Sequence, residues 1–156
     1  MKTFQTIGIL AHPLRPGTVP IAQDVTRSLE DHHITTWMRT VWDTPHVQPL
    51  VRDSDLVVAI GGDGAMLRAA RVCAPERVPV FGINTGYLGF LTEINPEEWE
   101  ASLKTLLAGE YWIEERMMIR YEIRREGAIL GANDALNDVV VSRGAIARSV
   151  RLETYI

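Results

Sequence analysis

Residues 54–60, SDLVVAI, run with little polar interruption into GGDG and then into the helix-like AMLRAAR. That junction constrains the fold more than any other stretch of the chain. A strand with apolar residues at consecutive positions is buried on both faces, the habit of parallel sheets covered by helices. Parallel neighbours need long crossover connections, so strands and helices are expected to alternate. The glycines allow close backbone approach, and the free N–H groups that open the next helix favour an anion.

The rest of the first hundred residues fits that expectation. TIGIL (6–10), ITTWM (34–38) and VPVFGI (78–83) read as further strands. AHPLRPGT reads as a loop, with two prolines and a glycine. A helix is expected from Thr18 to about His32, with Val19, Ala22, Val25 and Leu29 on its inner face. A second runs from about Ala65 to Cys73, with Pro75 just past its end. Residues 43–50 hold two prolines and read as a loop or broken turn. NPEEWEASLKTLLAG (95–109) reads as a helix capped by Asn95, with Pro96 in its first position and Gly109 at its end. Its Trp99, Leu103, Leu106 and Leu107 are candidate core.

After Gly109 the pattern changes. YWIEERMMIRYEIRR alternates apolar and polar residues, and ALNDVVVSRG and SVRLETYI continue in that style, with REGAILGAND carrying the turns. Such segments are half-exposed antiparallel strands. The fold class is therefore α/β. A Rossmann-like parallel-sheet domain with the glycine loop spans 1–95, and a connecting helix spans 96–110. An all-β, sandwich-like domain begins over 111–156. The last segment stops on a strand pattern. An apolar edge left there is one that natural domains avoid, so the β region reads as unfinished. A like subunit is expected to cover it, giving a homo-oligomer, dimer or tetramer.

Composition narrows the function classes. Apolar residues make up 46% and charged residues 23%, which excludes disordered and collagen-like chains. A net charge of −4 argues against a nucleic-acid face, which needs clustered Lys and Arg. Cys73 is the only cysteine, so no internal disulfide or four-cysteine zinc site forms. The opening fourteen residues have too short an apolar run for a secretion signal. No run approaches the ~20 residues that cross a bilayer. A soluble cytoplasmic protein without a membrane partner is expected. His12, His32, His33 and His46 lack metal-ligand spacing and read as loop and helix-surface residues.

The glycine loop matches neither generic phosphate motif. It has no P-loop lysine. Gly62 and Gly64 fit the first two places of a dinucleotide fingerprint, but Leu67 stands in the third. Asp63 adds a negative charge where phosphate would sit. It can accept the proton of a hydroxyl that attacks a phosphoryl group. It can act through Mg²⁺ or another divalent cation. It can also simply cap the helix.

Three blocks taken together resemble the signature of NAD kinases, in order and spacing: GGDGAMLRAAR (61–71), GINTGYLGFLTE (82–93) and LNDVVVSRG (136–144). GGDG alone is shared with phosphofructokinases and diacylglycerol-type lipid kinases. The resemblance runs over essentially the whole chain. It implies phosphorylation of the 2′-hydroxyl of NAD's adenosine ribose, with ATP or polyphosphate as donor and a divalent cation. In that family the GGDG aspartate, here Asp63, is the proposed general base, and it helps to hold the metal-bound phosphates. Gly62 and Gly64 let ligand approach the backbone.

The same resemblance implies that Arg68 reaches a bound anion, and that Asn84 and Phe90 contact the dinucleotide. Read by themselves, Arg68 is a solvated helix charge and Phe90 a core plug. Tyr87 departs from the family, which more often has a basic residue there. Asn137 and Asp138 stand where the family has Asn-Glu, both binding NAD. Neighbouring strand residues point to opposite faces, so the pair can share a site only at a strand end or bulge. By itself this stretch reads as an Asx turn. Arg148 matches a basic or His position near the ligand, often reached from a neighbouring subunit; by itself it is an exposed strand charge. Members of the family are nearly twice as long, and later motifs complete their pocket, so the chain reads as the front part of such an enzyme. Two other readings stay open: a non-catalytic nucleotide-binding or oligomerising module, and a related GGDG kinase acting on sugars or lipids.

Overall fold

The computed structural model describes residues 4–40, 44–86, 89, 91, 92 and 94–140. The chain divides into two compact units, Met1–Arg116 and Met117–Ile156. The first contains β1 (Thr6–Ala11), α1 (Thr18–Asp31), β2 (Thr35–Thr40), α2 (Thr44–Arg52) and β3 (Leu56–Gly61). It continues with α3 (Asp63–Cys73), β4 (Val80–Asn84) and α4 (Trp99–Leu107). The second contains β5 (Ile119–Arg125) and β6 (Ala128–Ala135). Among the described residues, no helix is long and apolar enough to cross a membrane.

The first unit is built on a four-stranded sheet in the order β2-β1-β3-β4, with every pair parallel. The uninterrupted apolar run of β3 now has its reason: all six of its residues are buried. Alternate residues feed two cores. Val58 and Ile60 join Ile7 and Ile9 of β1 under Ala22, Val25 and Leu29 of α1 and Trp99, Leu103 and Leu106 of α4. Val57 and Ala59 join Leu10 against Val47 and Val51 of α2 and Ala65, Ala69 and Val72 of α3. Each fully buried Val, Leu or Ile among them contributes about 1.5–3 kcal/mol by leaving water. Cys73 belongs to the second core, and burial pushes its thiol up to about 12.

The chain leaves β1 for β2 on one side and returns through β3 on the other. The loops after β1 and β3 then lead to helices on opposite faces, α1 and α3. Between the carboxyl ends of those two strands lies the switch point at which open α/β sheets bind ligands.

Several expectations are corrected. The proline-containing stretch 43–50 is mostly helix: α2 carries Pro49 in its interior. Pro45 sits in the first turn, where an N–H has no helical partner anyway. Burial of Val47 and Val51 outweighs the one bond lost at Pro49. On α1, Thr18 rather than Val19 faces the core; Thr18 is fully buried and Val19 is exposed. The late helix begins at Trp99, with Glu98 in the capping position. Asn95 instead donates its backbone and side-chain N–H groups to Glu98 Oε2, at 3.3 and 3.2 Å, closing a turn before the helix.

The second unit is an antiparallel hairpin. Glu126 and Gly127 both have positive φ, 49° and 83°, the turn whose twist matches a two-residue hairpin. AILGANDA is thus a strand, not a run of turns, because the reversal needs only those two residues. Residues 111–118 are not regular strand. SVRLETYI and most of VVVSRG lie outside the described residues.

Candidate functional site

Three chain segments end level with one another at the carboxyl edge of the parallel sheet. Gly61 of β3 is the register partner of Asn84 of β4. His12, just past β1, donates its backbone N–H to Ile60 O at 3.2 Å. Thr85 donates its own to Gly61 O at 3.1 Å. The loops that follow each strand therefore crowd around Gly61 to Gly64.

Helix α3 starts at Asp63, close behind the strand. A Cβ on Gly61 would lie 2.6 Å from Ala65 Cβ, so only glycine lets helix and strand come this near. Gly62 and Asp63 are half-buried and Gly64 is exposed, so the loop is not sealed beneath packed side chains. Leu91 donates its backbone N–H to Asp63 Oδ1 at 3.1 Å, which fixes the carboxylate's orientation. Gly89 lies directly against that carboxylate, and any Cβ there would overlap it. Asp63 thus sits between its own helix N-terminus and the backbone at Gly89 and Leu91. In this placement it can accept a hydrogen bond, and then a proton, from a hydroxyl brought to the loop.

Asn84 is buried, and its Oδ1 accepts the Gly86 N–H at 3.0 Å, shaping the turn after β4. Thr85 Oγ1 beside it, and Thr92 Oγ1 nearby in the chain, are buried hydroxyls without a hydrogen-bond partner. Arg68 is exposed on α3. It bears on His12, whose pKa is lowered first by burial and then by the charges of Arg15 and Arg68. Among the described residues no group of three or more His, Cys, Asp or Glu could hold a metal ion.

Of the residues singled out in the sequence, Gly62, Asp63, Gly64, Arg68 and Asn84 come together here. Phe90, Tyr87 and Arg148 lie outside the described residues. Asn137 and Asp138 belong to the second unit; both are exposed, just beyond the end of β6 at Ala135, at a bend rather than mid-strand. Gly89 and Arg15 are among the residues at the site that the sequence did not single out. Gly89 was hidden inside the NTGYLGF block, and its need appears only once Asp63 is packed against it. Arg15 lay in a segment read as mere loop. Its position after a buried strand, at the end where ligands bind, was the available signal.

The chain resembles known proteins in sequence and in fold. Residues 42–111 match the family described as the ATP-NAD kinase N-terminal domain. The NAD kinase of Pseudomonas fluorescens is 48% identical over 168 residues, which cover 100% of this chain and 56% of that protein. The NAD kinase of Moorella thermoacetica is 42% identical, over 98% of this chain and 51% of its own length. That of Ectopseudomonas mendocina is 38% identical, over 100% and 56%. The chain thus spans about half the length of these relatives. Among solved structures, yeast NADH kinase complexed with NADH superposes with a TM-score of 0.63 at 18% identity, over 88% of this chain and 48% of that one. At that identity the likeness shows a shared fold.

Proposed function

We propose that this chain, which belongs to the NAD kinase family and carries its N-terminal domain, is the part of an NAD kinase that holds the reacting phosphate and the base. The reaction is transfer of a phosphoryl group from ATP or polyphosphate to the 2′-hydroxyl of NAD's adenosine ribose, giving NADP. The observation that carries this reading is Asp63, half-buried and oriented by the Leu91 N–H at an open loop at the switch point. A phosphate on the backbone N–H groups at the start of α3 would sit next to that carboxylate. Asp63 would take the proton of the ribose hydroxyl as its oxygen attacks phosphorus. In a loose phosphoryl transition state the proton leaves late, so a weak base is sufficient.

Gly62, Gly64 and Arg68 would lie along the phosphates. Asn84, Phe90, Asn137, Asp138 and Arg148 are carried into the proposal as dinucleotide contacts. Mg²⁺ or another divalent cation fits this donor set, because Mg²⁺ is commonly held by one or two carboxylates and substrate phosphates; Asp63 would supply the carboxylate. It would neutralise charge on the transferred group. A homo-oligomer and a cytoplasmic location belong to the same proposal. Light scattering tests the first, since a sharp monomer peak contradicts it; cell fractionation tests the second.

Turnover is assigned to a protein of the relatives' length. The test joins this chain to the second half of the P. fluorescens relative and measures NADP formed from NAD with ATP or polyphosphate. Asp63→Asn is expected to lower kcat by about 10²–10⁴-fold, the usual range for a general base. An undiminished rate removes Asp63 from that role. A second reading, a nucleotide-binding module without turnover, rests on the open glycine loop at the start of α3, which favours a phosphate whether or not it reacts. Its signature is a rise in Tm with NAD or ATP and no NADP.

A further inference from the structure

The glycine loop holds a carboxylate where phosphates are to sit, and one helix N-terminus is a modest counterweight. The structure places a cation over it from a different segment. The guanidinium of Arg15, on the β1–α1 loop, overhangs both glycine turns. A Cβ on Gly86 would lie 2.5 Å from Arg15 Nη1, and one on Gly62 would lie 3.7 Å from it. The side chain therefore spans the gap between the loop after β3 and the loop after β4.

That position is built, not incidental. Thr18 is fully buried at the start of α1, and its hydroxyl donates to His12 O and Arg15 O, at 2.9 and 2.8 Å. The Thr18 N–H donates to Arg15 O at 3.0 Å, and the Arg15 N–H to His12 O at 3.3 Å. The loop is thus tied down on both sides of Arg15, while the side chain itself is exposed. Among the described residues no carboxylate pairs with it. Arg68 stands near enough that both charges act on His12. The buried, unpartnered hydroxyl of Thr85 lies on the adjoining turn.

We propose that Arg15 is a phosphate-binding residue, seating the oligophosphate chain of the phosphoryl donor across the Gly62 and Gly86 turns. A planar guanidinium suits this work, because its fork can bind two phosphate oxygens at once. It neutralises the phosphate that would otherwise face Asp63, and so keeps the chain over the loop while the carboxylate stays directed at the acceptor. That the ligand is the donor rests on the kinase reading; that the seat takes an oligophosphate rests on the geometry alone.

The test is calorimetric titration of the 156-residue chain with inorganic tripolyphosphate, ATP and NAD, without added metal. Arg15→Ala is expected to weaken tripolyphosphate and ATP by tenfold or more and NAD by less than threefold. Arg15→Lys should recover part of the loss, and Arg27→Ala, on the outer face of α1, should change nothing. Equal weakening of all three ligands by Arg15→Ala would assign the arginine to the dinucleotide and overturn the proposal. So would unchanged tripolyphosphate binding, or none in the parent chain. ATP binding far more tightly than tripolyphosphate, with the same Arg15 dependence, supports the seat and identifies a nucleoside triphosphate as the donor; equal affinity supports the seat with polyphosphate as donor. Arg15-dependent binding in a protein that forms no NADP leaves the seat standing and removes only the kinase reading. Arg15 is exposed, so its substitutions are expected to leave the fold intact, and melting curves of each variant check this.

Discussion

The strands of the two units meet solvent in opposite ways. Every residue of β3 is buried, and none of β5 or β6 is. β3 lies between two layers of helix that the same hundred residues provide. In the hairpin, Ile119, Ile123, Ile129 and Leu130 are all between 45 and 58% exposed. The contrast separates two sources of order. The sheet is held by cores on both faces, whereas the hairpin has cross-strand bonds and a turn. A two-stranded ribbon with only those is marginal in water. The residues gathered at the glycine loop all belong to the first unit, and Asn137 and Asp138 are exposed in the second.

The sharpest way to break this contrast is a pair of matched truncations. Ile60→Ala opens a cavity in a filled core and is expected to cost about 2–5 kcal/mol in urea unfolding. Ile123→Ala on β5 should stay within about 0.5 kcal/mol, as exposed substitutions do. Similar losses at both positions would mean that the hairpin has a packed core of its own.

Next in size is a pair of glycines. Gly89→Ala places a methyl group in the space of the Asp63 carboxylate. In the chimera, NADP formation should fall about 10²-fold, the cost of a ~1 Å misplacement of a reacting group, while Tm moves little. A Cβ on Gly131 of β6 meets nothing within 4 Å, so Gly131→Ala should alter neither. Retained activity in the Gly89 variant would show that Asp63 can work from another position.

The smallest effect is a pH dependence confined to the first unit. Burial, then the charges of Arg15 and Arg68, lower the pKa of His12 from its usual 6.5. Below 6.5 the unfolded chain therefore binds a proton that the folded chain resists, and stability falls as pH drops through that window. Above it the contribution is constant. The urea midpoint should decrease slightly from pH 7.5 to 5.5, and His12→Gln should remove that part of the decrease. Tripolyphosphate bound at Arg15 should raise the His12 pKa, as NMR titration can follow.

Much of this is legible in the sequence. β3 was recognisable because burial on both faces demands an unbroken apolar run. α1 was recognisable from Ala22, Val25 and Leu29 at helical spacing. Asp63 stood out because a carboxylate in a glycine loop needs a reason. What misled were cues that tertiary packing overrides. Two prolines read as a break, yet Val47 and Val51 hold α2 together. Asn95 reads as a cap, yet Glu98 took the position and bound Asn95's own N–H groups. REGAILGAND reads as carrying the turns, yet its Glu126 and Gly127 alone reverse the chain and the rest is strand.

Sequence alone determined the alternation of strand and helix, the glycine loop with its acid, and the likeness to NAD kinases, because each is written in short stretches of the chain. Tertiary structure alone decided that Arg15, Gly62, Asp63, Gly86 and Gly89 share one place. Those residues are up to 74 positions apart, and only the parallel register of β1, β3 and β4, with its reversal of direction across the sheet, brings their loops to the same edge.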